Sequence, residues 1–278
     1  MLKKRYGTIA VGMHLLVPGL GFLYAGKLWT ALIIPLALLG FVFFMAWSRL
    51  ILEPWGIWLI WGGLVLSYLL LIPFVFISAR RNNASQLMPS QNGFLYLLFS
   101  LIFVSLIGLT IHFRATLFGY ETFHLPSRSM ANTLLPNDYI IVDTWAYFDE
   151  KPQQGDILVF KYPLDPTTYF TKRMVAAAGD EVVIQKGKVE VNSTQLVEPY
   201  VLANNNVRTS KERRVKRIVN EDSYFVMGDN RDHSNDSRSW GDLSKGAIYG
   251  KAASIWFSFS SQEGVRMGRI RKLSKLVN

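Results

Sequence analysis

Three separate segments of the chain carry side chains suited to nucleophilic chemistry. Ser127 and Ser129 follow a proline, Lys172 lies in an apolar run, and a stretch rich in Asp and Arg covers residues 228–238. Residues two apart in an extended segment project to one side, so one hydroxyl can attack a carbonyl while the other donates to the oxyanion. A lysine kept neutral by burial can accept the proton of the serine. The pattern suits a serine nucleophile with a lysine general base.

Each part also has an ordinary structural explanation when it is taken alone. A lysine on a strand commonly extends its amine to solvent, and serines after a proline suit a turn. If Lys172 lies on a strand, it shares one face with Phe170 and Met174, while Arg173 shares the other face with Thr171. This alternation predicts that Lys172 is buried and that Arg173 is not.

A histidine-based protease is an alternative to the lysine base. A Ser-His-Asp triad would use His124 or His233, and the latter stands beside Asp232 and Asp236. The strings Ser-x-x-Lys and Gly-x-Ser-x-Gly, which mark two other serine enzyme classes, do not occur in the sequence.

The composition argues against metal and cofactor chemistry. The chain has no cysteine, which excludes disulfides, thiolate catalysis and cysteine-ligated metals. The histidines at 14, 112, 124 and 233 lack the spacing of a metal site. A non-catalytic calcium ion at the Asp-rich residues 229–236 is the metal alternative. We expect no cofactor and no catalytic metal.

The long uncharged runs concentrate in residues 8–112. A helix needs about 20 apolar residues to span a bilayer. Three runs are long enough: Trp29 to Trp47, Gly56 to Ile77 and Phe94 to Ile111. Thr8 to Ala25 is interrupted by Pro18 and Gly19, which predicts a hairpin, a broken helix or an interfacial segment. Residues 1–28 are thus expected to form a separate hydrophobic segment, and residues 29–112 a transmembrane region with helices at 29–47, 56–77 and 94–111.

The positive charges predict the orientation of these helices. Lys3 to Arg5, Lys27, and Arg80 with Arg81 form clusters expected on the cytoplasmic side. The loop Ser48 to Pro54 then lies outside, and so do the residues after about 113. A re-entrant or surface-lying first segment followed by three crossings satisfies every cluster.

The residues beyond Arg114 change to a two-residue apolar period, as in 139–142, 156–160 and 224–227. Within them, residues 181–222 are expected to form a hairpin and loop sub-domain, with the hairpin turning at Lys186 and Gly187. The predicted fold is a multi-pass α-helical membrane anchor followed by a mainly antiparallel β catalytic domain over residues 113–278.

The sequence resembles the type I signal peptidase (leader peptidase) family through four ordered segments: residues 123–134, 155–160, 172–173 and 228–241. The likeness extends from about Leu117 to about Ile270 and includes none of the first three membrane runs. It implies a Ser-Lys dyad serine endopeptidase with a signal-peptidase-like β domain. It also implies a bacterial cytoplasmic (inner) membrane location, with the catalytic domain on the extracytoplasmic, periplasmic side.

The resemblance implies a role for each matching site residue. Ser129 is expected to be the nucleophile and Lys172 the general base. The Ser127 hydroxyl and the Ser129 amide form the expected oxyanion hole, and Ser234 is expected to hydrogen-bond the Lys172 amine. The expected ion pairs are Asp229 with Arg173 and Asp236 with Arg238.

Two positions depart from the family pattern. Arg128 stands where glycine is common between the serines, and Asn132 stands where proline is usual. Arg128 is expected to point away from the site. Asn132 puts the rigidity of the turn and the substrate preference in question.

The resemblance also implies the partners. The substrates are expected to be preprotein signal peptides with small residues one and three positions before the cut. The apolar clusters Trp145 to Phe148 and Trp256 to Phe259 suggest the membrane lipid surface as a second partner, with packing in the core as the alternative explanation of these clusters. The secretion machinery is a further candidate. The net charge of +10 is scattered, apart from runs at 211–217 and 266–275, and no nucleic-acid partner is expected. A self-cleaving regulator and a catalytically inactive membrane scaffold are the alternatives.

Overall fold

The computed structural model describes residues 6–81, 93–211 and 214–273. These residues separate into two compact units. One unit comprises residues 6–51, 55–81 and 93–118, and the other comprises residues 52–54, 119–211 and 214–273. The predicted cluster Lys3 to Arg5, residues 82–92, and parts of both basic runs lie outside the described residues.

The first unit is built from helices. In chain order they are α1 (Gly7–Leu16), α2 (Leu20–Tyr24), α3 (Leu28–Trp47), α4 (Gly56–Arg81), α5 (Gly93–His112) and the short α6 (Arg114–Leu117). Helices α3, α4 and α5 are long and apolar enough to cross a membrane. Each lies at one of the three predicted runs, and α4 continues past Ile77 to Arg81. The expected helices are therefore present.

The N-terminal apolar run is a broken helix. Pro18 and Gly19 separate α1 from α2, and Gly19 has a φ of 90°, a conformation that favours glycine. A Cβ at Gly19 would lie 2.3 Å from the carbonyl oxygen of Ala31. The Gly19 N–H donates to His14 Nδ1 at 3.2 Å. The interruption predicted at Pro18 and Gly19 is therefore present, between two helices.

The second unit is dominated by antiparallel strands. Its larger sheet has the strand order β1-β2-β11-β3-β4-β9-β10, with β12 and β13 also paired to β11, and its smaller sheet has the order β7-β6-β5-β8. In chain order the strands are β1 (Tyr120–Leu125), β2 (Asp138–Asp143), β3 (Ile157–Tyr162), β4 (Asp165–Ala177), β5 (Glu181–Gln185), β6 (Lys188–Val191), β7 (Thr194–Gln195), β8 (Val215–Ile218), β9 (Ser223–Met227), β10 (Leu243–Ser244), β11 (Ile248–Ser260), β12 (Gly264–Val265) and β13 (Arg271–Lys272). The single turn of helix α7 (Ser237–Trp240) precedes β10. The predicted antiparallel β architecture is confirmed.

The smaller sheet begins with the predicted hairpin. Strands β5 and β6 pair with Gln185 opposite Lys188, so the turn is Lys186 and Gly187. Lys186 has a φ of 51° and Gly187 a φ of 73°, the two positive values that a tight hairpin turn of this kind requires.

The larger sheet must curl to bring the segment after β1 to the side chains of β4. Strand β1 is an edge, and β2, β11 and β3 lie between it and β4 in the strand order. The segment after β1 nevertheless hydrogen-bonds a side chain of β4, from Lys172 to Ser129. Sheet twist and the register shifts in β11 allow this closure. Ser129 and Lys172, which are far apart in sequence, therefore meet.

The short segment Leu52–Pro54, between α3 and α4 in sequence, belongs to the second unit. The Ser254 hydroxyl on β11 donates to the carbonyl oxygen of Leu52 at 2.7 Å, and Lys272 pairs with Glu53. Ser254 is fully buried. Residues 52–54 are thus part of the β unit.

Candidate active site

The serine segment is a tight turn that leaves β1 at Leu125. Ser129 is 7% exposed and is followed by Met130, which is buried in the core. Asn230, in the last of the four motifs (residues 228–241), fixes this turn. Its N–H donates to the carbonyl oxygen of Ser129 at 3.0 Å. The Asn230 side chain donates to the carbonyl oxygen of Arg128 at 3.1 Å. The backbone on both sides of the Ser129 side chain is therefore held in place.

Lys172 reaches Ser129 from the middle of β4. Its Nζ donates to Ser129 Oγ at 2.9 Å and to the carbonyl oxygen of Thr171 at 3.0 Å. The side chain is 3% exposed, and Nζ lies 5.0 Å from the centre of the Phe170 ring. Burial lowers the pKa of Lys172 to about 8, although the charges of Asp236 and Asp229 oppose this shift. A substantial fraction of the amine is therefore neutral in mildly alkaline solution.

The buried charges around Lys172 are already paired with one another. Arg173 pairs with Asp229, Arg238 with Asp236, and Arg231 with Glu198. Among the described residues, no carboxylate lies within ion-pair distance of the Lys172 amine. Burial without a counter-ion disfavours the ammonium form, which is why the pKa of this lysine falls.

The two groups expected to bind an oxyanion lie side by side. The Ser129 N–H donates to Ser127 Oγ at 3.1 Å, and Ser127 is exposed. The two donors are therefore adjacent, but the amide is engaged by the hydroxyl. A substrate carbonyl oxygen would have to replace this hydrogen bond and accept from both groups.

Arg173 is buried, which contradicts the expectation that it is exposed. It is 1% exposed and forms a bidentate pair with Asp229, with Nε to Oδ1 at 2.8 Å and a terminal nitrogen to Oδ2 at 2.7 Å. Its other terminal nitrogen donates to the carbonyl oxygen of Gly155 at 2.8 Å. Alternation along β4 does point Arg173 away from Lys172, but that face is covered too, by Asp229, the Gly155 carbonyl and the Tyr200 ring.

The second predicted ion pair, Asp236 with Arg238, joins two residues of the last motif. Arg238 binds Asp236 through Nε at 2.8 Å and a terminal nitrogen at 2.9 Å. Asp236 also accepts from the N–H of Gly228 at 3.0 Å. The pair thus holds the strand end from which Asp229 and Asn230 extend.

The comparisons with known proteins agree on a family. The model of the family described as signal peptidase, peptidase S26, matches residues 96–257, more than half of the chain. The chain belongs to this family. Membership makes it a type I signal peptidase, a serine peptidase that removes signal peptides from preproteins.

Individual relatives carry the same description. The "Probable signal peptidase I-2" of Synechocystis is 34% identical over 179 residues, which cover 62% of this chain and 78% of that protein. The "Signal peptidase I" of Buchnera aphidicola is 29% identical over 234 residues, covering 55% of this chain and 74% of that protein. A crystal structure of a signal peptidase I from Enterococcus faecalis is 30% identical, covers 37% of this chain and 97% of that one, and has a TM-score of 0.33.

The structure of the peptidase does not bring Ser234 into a hydrogen bond with Lys172. Ser234 Oγ is buried and has no hydrogen-bond partner among the described residues. The carbonyl oxygen of Thr171 accepts from the lysine amine instead. Ser234 Oγ lies against Gly228, where a Cβ would be 2.2 Å from it and 2.5 Å from the carbonyl oxygen of Ser129. Its proposed orienting role stays a prediction.

Three residues of the peptidase were not singled out from the sequence. Thr133 hydrogen-bonds Asp229 and accepts from Arg173 at 3.2 Å, and Asn230 clamps the serine turn. Tyr200 lies under the Arg173 guanidinium, 4.0 Å from ring centre to Cζ. Thr133 and Asn230 fall inside the recognised motifs, whereas no local pattern marks Tyr200.

The two departures from the family pattern have different surroundings. Arg128 is exposed, and its backbone carbonyl, not its side chain, takes part in the site. Asn132 has a φ of 88°, which proline cannot adopt because its ring fixes φ near −65°. The turn after the serine segment is therefore incompatible with the proline that is usual there.

Proposed function

We propose that the peptidase cleaves signal peptides with Ser129 as nucleophile and Lys172 as general base. The observation that carries the proposal is the 2.9 Å contact between Lys172 Nζ and Ser129 Oγ, made by a buried amine without a carboxylate partner. His124 and His233, the histidines of the rival triad, are both exposed, and His124 hydrogen-bonds Asn137. The lysine is therefore favoured over a histidine base.

The proposed reaction begins with proton transfer from Ser129 Oγ to the neutral Lys172 amine. Oγ attacks the carbonyl carbon of the scissile bond, and the carbonyl oxygen becomes an oxyanion that accepts from the Ser129 N–H and the Ser127 hydroxyl. The Lys172 ammonium then donates its proton to the leaving amine. Lys172 next takes a proton from water, the hydroxide attacks the acyl ester, and Ser129 regains its proton as the second product leaves.

The substrate preference is part of the same proposal. We propose that the peptidase prefers preproteins whose signal segments have small residues one and three positions before the cut, as the family resemblance implies. The resemblance supports this preference, and the exposed Ser127 beside the buried Ser129 supports an approach along the edge strand β1.

We propose a multi-pass anchor with the β unit outside the cytoplasm. Lys27 precedes α3, and Arg80 with Arg81 ends α4, which supports a cytoplasmic position for both places. The segment Leu52–Pro54 belongs to the β unit, which supports placing the loop after α3 on the same side as Ser129. The proposed domains are residues 1–28, 29–112 and 113–278, with 181–222 as a sub-domain of the last.

Two further partners are proposed for the β unit. Phe148 is 73% exposed and lies 6.4 Å from Trp145 between ring centres, and Phe259 is 44% exposed. Exposed aromatic side chains of this kind suit the lipid surface. The secretion machinery, which delivers the substrate, is the other proposed partner.

The test is cleavage of a model preprotein in detergent or liposomes by the intact chain. We expect cleavage after a small residue, and its loss in Ser129→Ala and Lys172→Ala variants whose folding is checked by circular dichroism. Cleavage that survives either substitution in a folded protein would reassign the site. An inactive wild-type chain would favour the scaffold alternative.

A further inference from the structure

A loop outside the four motifs, residues 198–209, contacts Arg173, the residue next to the proposed base, and Arg231 of the last motif. Glu198 accepts from both terminal nitrogens of Arg231, one of them at 3.2 Å, and it also accepts from the Tyr200 hydroxyl at 3.1 Å. Arg231 Nε donates to the carbonyl oxygen of Gly228 at 3.1 Å. Glu198 thereby connects Tyr200 to the strand end that carries Asp229.

The ring of Tyr200 contacts the residue next to the base. Tyr200 is 6% exposed, and the Arg173 guanidinium carbon lies 4.0 Å from its ring centre. A guanidinium over an aromatic face is attracted by the ring, most strongly where water is excluded. The same guanidinium binds Asp229 in a bidentate pair, so the ring and the carboxylate together fix its plane.

The loop is tied down a second time further along the chain. The Asp232 carboxylate accepts from the N–H groups of Val207, Arg208 and Thr209 at 2.8, 3.0 and 3.0 Å. The Thr209 hydroxyl accepts from Arg238 at 2.9 Å. The loop from Glu198 to Thr209 is therefore attached to the last motif at both ends, and Tyr200 is held as part of it.

We propose that Tyr200, held by Glu198, is a positioning residue for Lys172: its ring fixes Arg173 against Asp229 and so fixes the part of β4 from which the base extends. This inference rests on the proposed Ser129 and Lys172 dyad. The aromatic ring carries the effect, because the hydroxyl contacts Glu198 and not Arg173.

The charges that act on Lys172 give the inference a pH signature. Asp229 and Asp236 raise the pKa of Lys172, and each is offset by its own arginine, Arg173 or Arg238. Arg231 and Glu198 form the third pair of the cluster. Without the ring, Arg173 is held less firmly, Asp229 is offset less, and water gains access. Both changes favour the ammonium form of Lys172, so the acid limb of activity moves to higher pH.

The experiment compares Tyr200→Met with Tyr200→Phe in the full chain in detergent, with a model preprotein as substrate. Methionine keeps the bulk but not the aromatic face. We expect Tyr200→Met to lower kcat by about 10- to 100-fold with little change in KM, since misplacement of a catalytic group acts on the chemical step. The acid limb of its kcat profile should lie at higher pH. Tyr200→Phe keeps the ring over Arg173 and loses only the hydrogen bond to Glu198, so both of its values should lie closer to those of the wild type than to those of Tyr200→Met.

A second variant and a control complete the design. Glu198→Gln loosens Tyr200 and Arg231 and should also lower kcat, which keeps the test available if Tyr200→Met does not fold. Glu181→Gln breaks a partly exposed ion pair with Lys216 in the smaller sheet and should leave kcat unchanged. A folded Tyr200→Met or Glu198→Gln with the kcat of the wild type contradicts the inference, and so does a Tyr200→Met with a lower kcat but an unmoved acid limb. Ser129→Ala in the same assay separates the two proposals, because activity in that variant overturns the dyad itself.

Discussion

Lys172 and Arg173 are consecutive cations on β4, and the protein buries them in opposite ways. Arg173 is 1% exposed and has a bidentate carboxylate partner, whereas Lys172 is 3% exposed and contacts a hydroxyl, a carbonyl oxygen and an aromatic ring. Burial with a counter-ion preserves the charge of a side chain, while burial without one disfavours it. The arginine can therefore act as a structural cation and the lysine as a base, although the two residues share a strand.

The largest expected effect on activity comes from replacing Lys172 with arginine, the residue type of its neighbour Arg173. Lys172→Arg keeps the positive charge but places a guanidinium that does not lose its proton at working pH next to Ser129. We expect kcat for preprotein cleavage to fall by about 10⁴-fold or more. Lys161→Arg, at an exposed lysine on β3, is the matched control and should retain activity. An active Lys172→Arg variant would remove the basis of the comparison.

Removal of the Arg173 counter-ion should cost stability as well as activity. Asp229→Asn leaves Arg173 buried without its counter-charge, which typically destabilises a protein by about 3–5 kcal/mol. Thermal unfolding of the full chain in detergent, followed by circular dichroism, measures the change. Arg173→Met with Asp229→Leu replaces the pair by apolar groups and should recover part of the lost stability. A single Asp229→Asn variant as stable as the wild type would show that the pair is not required for burial of Arg173.

The close packing of Gly228 against the serine turn can be tested by adding a Cβ. Gly228→Ala places a Cβ within 2.5 Å of the carbonyl oxygen of Ser129, so the serine turn must move. Displacement of a reacting group by about 1 Å can cost up to about 100-fold in rate, and we expect kcat to fall by about 10- to 100-fold. Gly246→Ala, whose added Cβ would have its nearest neighbour at 4.0 Å, is the control. Unchanged kinetics in Gly228→Ala would mean that the turn tolerates movement.

The smallest expected effect is a graded response to pH. Because the Lys172 pKa is lowered to about 8, kcat should rise with pH through that value as the ammonium loses its proton. The free energy of unfolding should also rise with pH between the pKa values of Lys172 in the folded and unfolded states. The unfolded lysine, with its ordinary pKa of 10.5, binds more protons there than the folded one. The contribution of Lys172 to stability is complete above the pKa of the unfolded state and is lost as pH falls through the pKa of the folded state. A kcat profile that is flat between about pH 7 and pH 9 would contradict a lysine base of this pKa.

The sequence predicted the long helices well because their signal is local. Runs such as Gly56 to Ile77 are apolar over their whole length, and the break at Pro18 and Gly19 follows from backbone geometry alone. The hairpin at Lys186 and Gly187 was equally local. The exposure of Arg173 was predicted wrongly, because strand alternation distinguishes two faces but does not say whether both are covered.

The sequence by itself determined which residue types were available for catalysis and in what order they stand: the serine turn, the lysine on a strand and the last motif with its acidic and basic residues. Only the tertiary structure decided that Lys172 contacts Ser129 without a carboxylate partner among the described residues and that Tyr200 lies against Arg173, since these residues meet through the fold of the chain and not through their spacing. The proton affinity of a buried amine depends on distances to groups that are remote in the chain. A pattern read along one strand does not contain those distances.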